Sequence, residues 1–211
     1  MVITTLPGQE TQMSAVDDQE IHQIVLRVVS HVLGFPQAST LLIPAPIPAT
    51  VNPIKAPQAK GRKVVAIGAD HGGFELKETL KATLSELGFD VNDVGTHSKA
   101  AVDYPDYAHE VAKLVSTGKV WRGIVIDGAG IGSCIVANKV PGVRAGMAYD
   151  YSSAVNSREH NDTNVLTLGA GLVGANLAKQ IVKVWLTTDF GGGRHLPRVE
   201  KITAVEKQYS K

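Results

Sequence analysis

Gly123-Ile-Val-Ile-Asp127-Gly-Ala-Gly-Ile-Gly-Ser133 decides the fold of this chain. A short β-branched apolar run ends on an acidic residue. Three glycines follow at alternate positions, and a helix-compatible stretch continues from Gly132 to Lys139. Strand, tight glycine turn and helix in that order make one unit of a parallel sheet. The glycines let backbone N–H groups approach a ligand closely, and the helix N-terminus adds partial positive charge. Such a loop suits a phosphate or an oxyanion, although tight helix–sheet packing explains a lone example equally well. The spacing is not that of the dinucleotide fingerprint, which is G-x-G-x-x-G and follows the first strand of its fold.

The same alternation extends in both directions. Strands are expected at Lys63–Gly68, at Phe89–Val91 with Val94, at Gly123–Ile126, at Val143–Ala148 and at Asn164–Leu168. Helices are expected over Phe74–Leu87, Tyr104–Val115, Gly132–Lys139, Ser152–Glu159, Leu172–Leu186 and Val199–Gln208. Short links between them predict a Rossmann-like α/β domain over residues 61–211, with a five-stranded parallel sheet and helices on both faces. Sites in such sheets form beyond the C-terminal strand ends. Asp70-His71, Asp127–Ser133 and His160-Asn-Asp-Thr-Asn164 are all expected there.

Upstream, the composition changes. Seven of 10 prolines but only two of 21 glycines fall in residues 1–60, so a leader precedes the glycine-rich domain. In that leader Ile21, Ile24, Val25, Val28, Val29, Val32 and Leu33 form a continuous helical stripe. The extension 1–34 therefore carries an amphipathic helix over about 17–33, stopped by Gly34. Residues 35–60, centred on Pro44-Ala-Pro46-Ile-Pro48, make a semi-rigid spacer. The stripe either packs back on the domain, pairs within an oligomer or docks on another protein, and docking is preferred. Its polar face holds one Arg and no Lys, which disfavours a membrane surface.

A net charge of +1 argues against a nucleic-acid partner. The single cysteine, Cys134, excludes an internal disulfide and a thiolate zinc cage, and fits a reducing, cytoplasmic compartment. Neither a transmembrane run nor a secretory signal is legible.

Three further clusters carry chemistry. Gly68-Ala-Asp70-His71-Gly-Gly73 sets a carboxylate beside an imidazole, suited to a hydroxyl or phosphate, although Asp70 also fits as a helix cap. Arg158-Glu-His160-Asn161-Asp162-Thr-Asn164 is dense in polar groups, some of which serve turns. Gly191-Gly-Gly-Arg194-His195-Leu-Pro-Arg198 puts two arginines four apart. On one helix face they would clamp a phosphate, or form an ordinary solvated face.

Taken together, these stretches resemble the ribose-5-phosphate isomerase B / galactose-6-phosphate isomerase family. Val102-Asp-Tyr-Pro-Asp-Tyr-Ala108 and Ala137-Asn-Lys-Val140 match it as well. The resemblance covers Lys63 to about Val205 and implies aldose–ketose isomerisation of a sugar phosphate through an enediolate, with no cofactor and no metal. Ribose 5-phosphate is the first expectation; a tetrose or other sugar phosphate, or a non-catalytic sugar-phosphate binder, are the alternatives.

By position, the resemblance implies ring opening by His160 and hydroxyl contacts from Asp70 and Asn161. His71, Arg194 and Arg198 would bind phosphate, and Tyr104 would line the pocket. The loop Gly128, Ala129, Gly130, Ile131 and Gly132 would hold the enediolate oxygen. It also implies a homodimer or dimer of dimers with the site between subunits. Members place a Cys base at the position of Asp127, or a Glu at that of Ser133, and neither type stands here. Asp127 is the leading base, and Cys134 a displaced alternative. A Thr or Ser is common where Ala129 stands, and some members carry a phosphate-binding Arg near Gly171. The leader lies outside this family pattern. It resembles the encapsulation peptides of bacterial microcompartment cargo, which implies a shell-protein partner and a place in the compartment lumen.

Overall fold

The computed structural model describes residues 62–210. The helix expected over 17–33 and the spacer 35–60 lie outside them. Five strands, β1 (Val64–Ala69), β2 (Asp90–Gly95), β3 (Arg122–Asp127), β4 (Ala145–Met147) and β5 (Val165–Gly169), form one parallel sheet in the order β2-β1-β3-β5-β4. The helices are α1 (Phe74–Glu86), α2 (Tyr104–Ser116), α3 (Ile131–Ala137), α4 (Tyr151–Glu159), α5 (Ala175–Thr187) and α6 (Leu196–Tyr209). A 3₁₀ turn, Gly193–His195, precedes α6.

The expected architecture is the observed one, and side-chain alternation explains it. Successive residues of a strand face opposite sides. Val65, Ile67, Ile124, Ile126, Leu166 and Leu168 point to one face, where Leu80, Leu84, Ile181 and Trp185 of α1 and α5 cover them. Ala66, Val125 and Val165 point to the other, under Val111, Ala112 and Val115 of α2 and Ala137 of α3. Each face is apolar, so the central strands β1, β3 and β5 read as nearly continuous apolar runs.

Several elements differ in extent from expectation: β4 has three residues instead of six, and α5 starts at Ala175 instead of Leu172. The second strand runs unbroken through Asn92 and Asp93. Asp93 points its carboxylate at Lys77, whose ammonium is wholly buried 2.6 Å away, and Lys81 lies equally near. Burial pushes the Asp93 carboxyl up, but the lysine bonds and the Gly95 amide outweigh it and hold the group at about 2. That pairing stabilises the fold at neutral pH, and its contribution fades as pH falls from about 3.8 towards 2. The last helix starts at Leu196 instead of Val199, because Pro197 fits the first helical turn.

Between the C-terminal ends of β1 and β3 the chain reverses its direction of progress across the sheet. The loop after β1 leads to α1 on one face, and the loop after β3 leads to α3 on the other. The crevice left between them is where ligands settle in open parallel sheets.

Candidate functional site

Asp70 and the glycine loop meet in that crevice. A methyl group on Gly72 would lie 3.3 Å from Asp70 Oδ1 and 3.8 Å from the Gly128 amide nitrogen, so the two loops back directly onto each other. Asp70 is buried and its Oδ1 accepts the Gly73 amide at 2.9 Å, which holds the turn before α1; Gly73 is the N-cap itself, so Asp70 does not cap the helix as weighed from the sequence. His71 is exposed, and its Nδ1 sits 3.1 Å from the Val102 carbonyl, which ties it to the segment before α2. Tyr104 begins α2 and lays its ring against Gly132, where a methyl group would come within 2.5 Å of the ring. Gly130 has φ of +81° and abuts the Leu168 backbone, so no side chain fits there.

The Asp127 carboxylate folds into its own loop. Oδ1 accepts the amides of Ala129, at 2.8 Å, and of Gly130. Oδ2 accepts the Ser133 amide at 3.0 Å and the Ser133 hydroxyl at 2.5 Å. Four donors converge on four lone-pair directions, so in this conformer none is free for an incoming proton. The backbone cradle expected to hold a substrate oxygen is filled by the protein's own carboxylate. Ser133 is fully buried beneath it. Ile131 is exposed at the loop's outer rim. Cys134 does not join them: its Sγ faces the Ala145 carbonyl at 3.5 Å, at the start of β4.

His160 and Asn161 lie elsewhere, which corrects the expectation that their cluster sits at the C-terminal strand ends, and Arg194 and Arg198 lie with them. The Asn164 amide donates to the Arg144 carbonyl, and the Gly123 amide to the Asn164 carbonyl, so this turn sits at the N-terminal ends of β3, β4 and β5. The reason is helix direction. A helix following a parallel strand returns to the opposite edge, and nine residues of α4 span about 13 Å. His160 stands at the far end of that helix. The Gly191 amide bonds the Glu159 carbonyl, which brings the Arg194 segment to the same edge.

The turn is rigidly held. Asp162, at φ of +47°, takes Arg144 and Arg158 on separate carboxylate oxygens, each at 2.8 Å. Arg158 also donates to the carbonyls of Thr163 and Thr188. The His160 and His195 rings stack at 4.0 Å between centroids, tilted by 11°. Burial, then the charges of His160, Arg194 and Arg198, hold the His195 imidazole below the ordinary histidine value. Arg194 and Arg198 are exposed, but they belong to different elements, the 3₁₀ turn and α6, and do not form the single helical clamp expected.

Sequence reading missed two participants. His195 stood only inside a matching stretch, and Asn156, one turn before His160, was passed over; the i, i+4 spacing was the available signal. Among the described residues, no group of three or more His, Cys, Asp or Glu is placed to hold a metal. Nor is any helix among the described residues long and apolar enough to cross a membrane.

A doubly wound parallel sheet with an amide-lined loop at its switch point, and imidazole and guanidinium groups fixed in tight turns, has the equipment of an enzyme for small phosphorylated substrates. The model of the Ribose/Galactose Isomerase family matches residues 65–202, and the chain belongs to that family. It is 50% identical over 146 residues to ribose-5-phosphate isomerase B of Escherichia coli, covering 69% of this chain and 98% of that protein. It is 43% identical over 145 residues to D-erythrulose-4-phosphate isomerase of Pectobacterium atrosepticum, covering 68% and 95%. The solved structure of ribose-5-phosphate isomerase B from Clostridium thermocellum superposes with a TM-score of 0.69 at 50% identity, over 70% of this chain and 99% of that one. The chain is a sugar-phosphate isomerase, an intramolecular oxidoreductase.

Proposed function

We propose that the protein interconverts ribose 5-phosphate and ribulose 5-phosphate in a site that two copies of the chain share. The observation that carries this reading is the separation of the two half-sites. One chain holds Asp70, His71, Asp127 and the glycine loop at the C-terminal strand ends, and His160, Asn161, Arg194 and Arg198 at the N-terminal ends. A two-fold pairing that sets one edge against the partner's opposite edge completes two sites at once.

In the completed site, Arg194, Arg198 and His71 take the phosphate and Asp70 and Asn161 hold hydroxyls, while Tyr104 forms a wall. His160 assists ring opening by donating a hydrogen bond to the ring oxygen. Asp127 leaves the cradle as the substrate oxygen enters it, takes the proton from C2 and returns it to C1, while the proton of the C2 hydroxyl passes through solvent to O1. The amides that held the carboxylate then hold the enediolate oxygen, so each protonation state meets satisfied donors.

Ribose 5-phosphate is favoured by the 50% identity to the Escherichia coli enzyme; the Pectobacterium relative makes a tetrose phosphate the second reading. Turnover against four- to six-carbon aldose and ketose phosphates decides between them, and the highest kcat/KM is expected for ribose 5-phosphate. A higher value for erythrose 4-phosphate selects the second reading. No exchange of the C2 proton with any of them would leave a sugar-phosphate binder.

The leader is proposed to dock the enzyme on a microcompartment shell, supported by its helical stripe and proline spacer. Residues 1–60 fused to a fluorescent protein should co-localise with co-expressed shells; diffuse fluorescence would sink that role.

A further inference from the structure

His160 has two ring nitrogens, and opening a sugar ring requires that the one facing the substrate carry a proton. A carbonyl one turn upstream fixes which one does. The Asn161 side-chain nitrogen lies 3.3 Å from the Asn156 backbone carbonyl, an obligate acceptor, so the Asn161 group there is the NH₂. The same NH₂ lies 3.3 Å from Asn156 Oδ1, which therefore accepts. The remaining end of the Asn156 amide is its own NH₂, and it lies 2.8 Å from His160 Nδ1. An NH₂ only donates, so Nδ1 accepts and the neutral ring carries its proton on Nε2. The stack on buried His195 fixes the ring plane. His195 Nε2 accepts from Arg194 Nε at 3.3 Å, which links the ring pair to a guanidinium of the same half-site.

We infer that Asn156 is a positioning residue for the isomerase: by donating to His160 Nδ1, it keeps the His160 proton on Nε2, where it donates a hydrogen bond to the ring oxygen as the sugar opens. This rests on the ring-opening role given to His160 above. In that step the C1–O4 bond breaks while O4 accepts the Nε2–H hydrogen bond and takes a proton from solvent; the C1 hydroxyl loses its proton to solvent as the C1 carbonyl forms, and the His160 ring stays neutral throughout. Asn156 touches no substrate atom; it acts through the tautomer of its neighbour.

Nitrogen-15 NMR of the histidine-labelled full chain, with the His160 signals assigned by comparison with His160→Gln, tests this. The neutral wild-type ring should show an unprotonated Nδ1 and a protonated Nε2. Asn156→Leu should give a mixture of tautomers, and Asn156→Asp, which offers only acceptors, should move the proton to Nδ1. With ribose 5-phosphate, Asn156→Leu should lower kcat about tenfold with little change in KM. A protonated Nδ1 in the wild type, or the same tautomer in all three proteins, would overturn the assignment. So would a changed tautomer with unchanged kcat. The spectra do not depend on turnover, so an error in the substrate and an error in the tautomer show up separately. Asn156 is exposed, so neither substitution is expected to disturb folding.

Discussion

Asp127→Asn should turn over ribose 5-phosphate about 10²-fold or more slowly than the wild type, with inorganic phosphate bound nearly as tightly. Two effects add. The amide cannot take the C2 proton. Its NH₂ would also face a cradle built only of donors, since both carboxylate oxygens accept from Ala129, Gly130 and Ser133. Phosphate binding persists because Arg194 and Arg198 belong to the other half-site. The loop loses charge-assisted hydrogen bonds, so a modest loss of stability is expected, on the order of 1–2 kcal/mol, read as a lowered Tm. Steady-state kinetics and phosphate titration measure the two arms. Wild-type turnover in this variant would remove Asp127 as the base, and Cys134 offers no simple replacement, because its thiol faces β4.

Mixing two inactive variants should restore activity. Asp127→Asn damages one half-site and His160→Leu the other. In a mixed dimer, one site collects both lesions and the second collects neither. Random reassortment makes half the dimers mixed, and half of their sites are intact, so about a quarter of wild-type activity is expected. Co-refolding or subunit exchange followed by an activity assay reads this directly. A mixture no more active than its components would mean that each chain builds its site alone, which would require His160 to reach the glycine loop from the opposite edge of its own sheet.

Much of this protein was legible in its residues. Val65, Ile67, Ile124 and Ile126 alternate with Ala66 and Val125, and such alternation within apolar runs is enough to predict a sheet covered on both sides. Gly88 marks a helix end for a local reason, a positive φ of +85°. The glycine loop after β3 and the polar turn around His160 also stood out as candidate chemistry, because composition and spacing are properties of neighbouring residues.

Three things required the tertiary structure. The two polar clusters sit at opposite edges, since that depends on which way a helix returns. The Asp127 carboxylate fills the cradle it was expected to serve, since six residues of loop fold back to offer Ser133 to it. His160 takes its orientation from Asn156 on one side and from His195, which is 35 residues away, on the other. Periodicity and caps are written in short windows of sequence, where backbone geometry alone sets the spacing. The donors that saturate the Asp127 carboxylate come from its own loop, but only once that loop folds back on itself. The ring that stacks on an imidazole and the strand end that a polar cluster occupies are set by distant segments brought together, and folding decides them.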